Sequence, residues 1–260
     1  MKTLGLIGGI GWESTALYYR LINEEVRNRF GSLHSAPMIV NSLEFQTLDA
    51  QVKANRWNDA AASLAEAART LERAGAEALL LCSNQMHYVF EAVAGAVAVP
   101  VLHLGDAVLA EARAARMNRI GLIGTRFTLE HDFLLERAAD GGSGRRLPVT
   151  VLLPDPADFA ALDHIIYGEL CRGLVREESR ALVLRVARNL RAHGAQGIVL
   201  ASSELALLLR ADDFALPLLD STELHALAAV RWALETNRKS AQRTRPKAPP
   251  SPSRPKPRLR

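Results

Sequence analysis

The chain has 260 residues, 48% of them apolar, enough for one large or two small packed domains. Its net charge of +4 comes from one end: Arg238 to Arg260 holds nine of the 32 basic residues and no acid, leaving 23 basic against 28 acidic residues in the body. No apolar run reaches the ~18 residues of a membrane span, and the opening segment lacks the apolar stretch and cleavage site of a signal peptide, so a cytoplasmic location is expected.

Strand-like runs alternate with segments of helical period along the body. TLGLIG (3–8) comes first, and a glycine-rich turn, GIGWEST, follows it. A dinucleotide fingerprint G-x-G-x-x-G starting at Gly9 would need glycine at position 14, where the chain has Ser14. APMIVNS (36–42) is the next strand and ends on Ser42. A helix is predicted from Asn58 to Ala74, stopped by Gly75. AEALLLC (76–82) then brings Cys82 to a strand end, with Ser83 and Asn84 behind it. VPVLHL (99–104), RIGLIG (119–124) and LPVTVLLP (147–154) are further strands, and Thr125 follows the second of these.

HIIYGELCRGL (164–174) is apolar-periodic, and its Cys171 is expected to be a buried helix residue. A second helix runs from Ser179 to His193 and stops at Gly194. QGIVLAS (196–202) and LPLLDS (216–221) complete the strands. Alternating strand and helix predicts an α/β fold with parallel sheets. The terminal segment 238–260 is basic and rich in Pro and Ser, so it is expected to be disordered. It carries no RNA-binding aromatic motif or zinc-finger spacing, and nucleic acid is not expected as a partner.

The body repeats itself. GLIGG from Gly5 matches GLIGT from Gly121 at an offset of 116, VPVLH matches LPLLD at 117, and Cys82 aligns with Ser202 at 120. Two homologous α/β halves are therefore expected. Ligands of open parallel sheets bind beyond the carboxyl ends of the strands, where Cys82 and Ser202 would face one substrate from opposite sides. The backbone N–H groups of Ser83, Asn84, Ser203 and Glu204 would open helices there and favour an anionic group. Groups on opposite faces of a carbon can remove a proton on one side and return one on the other. A thiol, with a pKa of ~8.5, suits that work far better than a serine hydroxyl. Glu13 and Glu204 are cleft carboxylates or helix N-terminal acids, and His87, His103 and His225 are expected to be structural or to stand behind the site. No Cys/His cluster has metal-ligand spacing.

GLIGGIGWESTALYYRLIN, CSNQMH, GLIGTRFTLE, HIIYGELCRG, GAQGIVLASSE and DSTELHA together resemble the cofactor-independent aspartate/glutamate racemase family, over about Lys2 to Leu234. The resemblance implies two pseudo-symmetric Rossmann-like α/β domains with an active-site cleft between them. It also implies a homodimer, a small acidic amino acid as substrate, and no cofactor or metal. The first domain would span 1–102 with a return over 221–237, and the second 103–220. Carried over by motif, Cys82 is a catalytic cysteine, Asn84 a binder of the substrate carboxylate and Thr125 a polar cleft residue, with Ser42 as a neighbour of the site. Ser83, Ser203 and Glu204 join the expected substrate-binding set. The departure is at the second cysteine: the family pattern Gly-Cys-Thr-Glu is here Ala201-Ser202-Ser203-Glu204. The expected activity is proton transfer at the α-carbon, impaired or asymmetric because of Ser202. The alternatives are an acidic-ligand-binding protein and a one-cysteine isomerase or decarboxylase of related carboxylates.

Overall fold

The computed structural model describes residues 1–131, 148–209, 213–214 and 216–235. The basic segment expected to be disordered lies outside the described residues. So do residues 132–147 of the second half. The first half of the chain runs β1 (Leu4–Gly8), α1 (Trp12–Phe30), β2 (Met38–Ser42), α2 (Phe45–Lys53), α3 (Trp57–Arg73), β3 (Ala78–Leu81), α4 (Phe90–Ala94) and β4 (Val101–Leu102). The second continues with α5 (Leu104–Ala114), β5 (Arg119–Gly124), α6 (Arg126–Glu130), β6 (Thr150–Leu152), α7 (Pro156–Asp163), α8 (Glu177–Ala192), β7 (Ile198–Ala201), α9 (Leu205–Leu208), β8 (Leu218–Asp220) and α10 (Ser221–Leu234).

These strands form two four-stranded sheets, β2-β1-β3-β4 and β6-β5-β7-β8, with every pairing parallel. The two orders are the same. β1, β3, β5 and β7 are the inner strands and are buried almost throughout, whereas β2, β4, β6 and β8 are partly open. Both faces of an inner parallel strand are covered, which is why these four read as unbroken apolar runs.

The helices bury single stripes. α3 turns Ala60, Leu64, Ala67, Ala68 and Leu71 inward, and α8 turns Val183, Val186, Ala187 and Leu190 inward. Each is followed by a glycine in the left-handed region, Gly75 at φ +97° and Gly194 at φ +95°. The two helices lie close against their sheets because each faces a glycine. A Cβ on Gly5 would stand 2.5 Å from Leu79 Cδ2 and 3.3 Å from Leu71 Cβ; one on Gly121 would stand 3.0 Å from Ile198 Cδ1 and 3.1 Å from Leu190 Cβ.

One core surrounds the second sheet, from Leu104 on α5 to Leu219 on β8. The first sheet is covered on one face by α3, against Ile7, Leu79 and Leu81. On the other face Tyr18, Ile22 and Val26 of α1 join Ala226, Ala229, Val230 and Ala233 of α10 over Leu4, Leu6, Ala78 and Leu80. The last helix thus returns to the first sheet, and the Lys2 N–H donates to Ala233 O at 3.0 Å. The alanines of α10 leave room for the larger side chains of α1, and each fully buried aliphatic chain there contributes roughly 1.5–3 kcal/mol.

Candidate active site

The carboxyl ends of β1, β3 and β7 carry the chemically interesting residues. After β1 the chain turns through Gly9 (φ +79°) and Gly11 (φ +69°) into α1. A Cβ on Gly9 would meet Leu43 O at 2.1 Å, so the β1 and β2 ends approach too closely for any side chain there. Gly11 caps α1 without a side-chain bond, which leaves the first N–H groups of a 19-residue helix for other acceptors. Trp12, next in line, is 68% exposed.

A cavity of about 290 Å³ opens between this end of α1 and the segment after β7. Glu13, Ser14, Leu17 and Arg20 line it from α1, and Ser203, Glu204 and Leu207 from the other side. The α1 residues recur at three- and four-residue intervals, so they share one helix face. Of the two sequence readings offered for Glu13 and Glu204, both acids do border this space.

Ser202 is buried, and its hydroxyl donates to Glu204 Oε2 at 2.5 Å. Thr125 is buried as the cap of α6: its Oγ1 accepts from the Thr128 N–H at 3.3 Å and lies 3.0 Å from Thr128 Oγ1. Asn84 and Ser83 are half-buried. Ser221 Oγ lies 3.0 Å from Asn84 Oδ1 and 2.6 Å from Leu200 O, a bridge between the β3 and β7 ends. Ser42, at the end of β2, is exposed.

Cys82 occupies different ground. It is fully buried in the apolar cluster of Leu4, Leu6, Tyr18, Leu80 and Ala226, beneath α1 and α10. Ala78, Leu80 and Cys82 alternate onto that face, while Leu79 and Leu81 point to α3. Its N–H donates to Ile7 O at 3.0 Å and its carbonyl accepts from Ser14 Oγ at 3.2 Å. Burial pushes its thiol far above the ordinary range, so the thiolate is suppressed.

Strand register also corrects the alignment of Cys82 with Ser202. Gly5 and Ile7 pair with Leu79 and Leu81, while their repeats Gly121 and Ile123 pair with Ile198 and Leu200. Leu79 therefore corresponds to Ile198, an offset of 119. The same offset relates Leu71 to Leu190, the leucines over the equivalent glycines, and Gly75 to Gly194. It relates Glu77 to Gln196 as well: the Glu77 N–H donates to Thr3 O at 2.8 Å, and the Gln196 N–H to Arg119 O at 2.9 Å. Cys82 thus matches Ala201, and Ser83 matches Ser202. The sequence carried a signal for this in the Gly-Ala pairs at Gly75 and Gly194.

Three groups beside the cavity were not expected there. Cys171, expected to be buried, is exposed; surrounding protein, then Glu204 and then Glu13 push its thiol up to about 11. Tyr167 donates to Gln85 Oε1 at 3.2 Å, and burial followed by the charges of Asp163, Cys171, Glu204 and Asp49 raises its pKa. Arg20 was the third. Tyr167 and Cys171 belong to one segment, and Arg20 on α1 lies far from it in the chain.

Three buried histidines are held as neutral ties. His225 Nδ1 accepts from Tyr18 OH at 2.8 Å, so its proton is on Nε2, 3.0 Å from Leu102 O. His87 Nε2 accepts from the Leu104 N–H at 3.2 Å, and its Nδ1–H donates to Ser83 O at 2.8 Å. His103 Nδ1 accepts from the Gly105 N–H at 2.9 Å and caps α5. Among the described residues, no three His, Cys, Asp or Glu side chains are arranged to hold a metal ion. No helix among the described residues is long and apolar enough to cross a membrane.

The chain as a whole is similar to solved proteins. A candidate Asp/Glu racemase from Yersinia pestis is 40% identical, with a TM-score of 0.84 over 90% of this chain and 100% of that one. An aspartate racemase homologue from Pyrococcus horikoshii OT3 is 29% identical, with a TM-score of 0.79 over 90% and 100% of the two chains. The aspartate racemase of Picrophilus torridus shares the fold at 15% identity, with a TM-score of 0.70 over 93% and 98%. Residues 7–229 match the Asp/Glu/hydantoin racemase family, and with the two parallel sheets and the cavity at their strand ends, the chain belongs to that family.

Proposed function

We propose that the protein moves the α-proton of an amino acid in the cavity between α1 and the segment after β7, without a cofactor. Aspartate and glutamate are the first substrates to try. The reading takes the two halves to divide at Leu102–His103 and Asp220–Ser221. Similarity at 40% identity over 90% of this chain to a candidate Asp/Glu racemase carries it. The cavity is of amino-acid size and is bordered by Arg20 and by the first turns of α1, a helix whose start has no side-chain cap. A substrate carboxylate bonded to such donors accepts the electron pair left when the α-proton departs. A proton delivered to the opposite face then inverts the centre, whereas one returned to the same face restores it.

The test is proton NMR of L- and D-aspartate and L- and D-glutamate in deuterated water. Loss of the α-proton signal with enzyme, undiminished by a chelator or by hydroxylamine, is the expected result. Saturable binding of these amino acids with no loss of the signal would replace the enzyme reading by that of a ligand-binding protein.

A further inference from the structure

We infer that Glu13 and Glu204 hold the α-ammonium of the substrate and Arg20 its α-carboxylate, so that the cavity takes free α-amino acids and rejects their 2-hydroxy and N-acyl analogues. This rests on the cavity of the proposed function and adds the groups that read the charge of its ligand.

The three side chains border one space, Glu13 and Arg20 from α1 and Glu204 from the segment after β7. Among the described residues, none of the three is in an ion pair, whereas Glu25, Asp49, Glu66 and Glu130 each pair with a nearby Arg or Lys. Spacing keeps Glu13 and Arg20 from each other. They stand seven residues apart, about 10 Å along the helix axis, beyond the reach of i,i+3 and i,i+4 pairs. An amino acid suits that interval. Its ammonium and carboxylate lie about 3 Å apart, and a charge-assisted hydrogen bond of ~2.8 Å at each end extends the span to about 8–9 Å.

Glu204 completes the ammonium side. Its Oε2 accepts from the Ser202 hydroxyl at 2.5 Å, which leaves Oε1 for another donor. Both carboxylates act on the Cys171 thiol beside the cavity, Glu204 more strongly than Glu13, so the two converge. One ammonium has three N–H donors and can serve both. Leu17 and Leu207 add apolar wall, with no partner for a charge.

The balance of charge sets the selectivity. Two carboxylates against one guanidinium leave the cavity with an excess of negative charge. A free amino acid brings a cation for the carboxylates and an anion for the guanidinium. Where a hydroxyl or an acylated nitrogen replaces the ammonium, the ligand brings its anion alone, and both carboxylates lose their donor and repel it.

Titration calorimetry on the full chain tests this near neutral pH. The probes are both enantiomers of aspartate and of glutamate, both enantiomers of malate, and N-acetyl-L-aspartate. Malate keeps both carboxylates of aspartate, so the comparison isolates the nitrogen. The better-bound aspartate should bind at least about 10-fold more tightly than either malate or the N-acetyl compound. Glu13→Gln should weaken aspartate roughly 10-fold, the low end for a charge-assisted bond because Glu13 is exposed, and should leave malate unchanged or tighter. Arg20→Ala should weaken both. Malate binding as tightly as aspartate, or Glu13→Gln weakening the two alike, would overturn the inference even if the α-proton exchanges. Absence of saturable binding by aspartate and glutamate would overturn it as well. Glu13-dependent binding of aspartate without loss of the α-proton would leave the ammonium site standing and remove the proton-transfer reading instead.

Discussion

Replacing His225 by glutamine isolates the acid sensitivity of the contact between α1, β4 and α10. The imidazole is fully buried and neutral, accepting from Tyr18 and donating to Leu102 O. Burial first, and the neighbouring His87 second, lower its pKa from 6.5 to about 3. Because the folded value is depressed, the stabilisation is complete above the unfolded pKa of 6.5 and is lost as pH falls towards 3. In that window the unfolded chain binds a proton that the folded protein refuses. The slope approaches ~1.4 kcal/mol per pH unit. Between pH 7.5 and 4.5 this one site removes about 2.5 kcal/mol, against a typical total of ~5–15 kcal/mol.

Glutamine can accept from Tyr18 and donate to Leu102 without titrating, so the variant should keep the tie and lose the slope. Urea unfolding of both proteins at half-unit pH steps measures the difference, since the carboxylates that titrate in both cancel. The native protein should lose about 2.5 kcal/mol more than His225→Gln over this range. Parallel pH profiles for the two proteins would refute the neutral-tie account.

Gly9→Ala should lower stability by more than about 3 kcal/mol, because the new Cβ strikes Leu43 O at a φ of +79°; thermal unfolding within a degree of the native protein would contradict this. Ser221→Ala should cost about 1–3 kcal/mol, since Ser221 is fully buried and bonds the Leu200 carbonyl at 2.6 Å; chemical denaturation reads the change. Arg20→Ala should raise KM for carboxylate substrates severalfold while leaving the melting temperature nearly unchanged, because the residue lines the cavity from the open side of α1. An unaltered KM would remove Arg20 from substrate binding.

The sequence by itself determined the α/β class, the eight strands of the described residues and the helices that end at Gly75 and Gly194. Those signals are local: apolar runs covered on both faces, stripes of helical period and glycines at left-handed stops. The family was legible too, because its motifs appear in order along the chain. The register of the two halves was not, since Ser202 and Ser203 are adjacent and either could be set against the residues around Cys82. Strand pairing settles that choice, because hydrogen bonds from β1 and β5 fix which side chain faces the α1 and α10 core. The cavity was equally beyond the sequence. Arg20, Cys171 and Glu204 come from three separate segments, and only the packing of helices on two sheets brings them to one region.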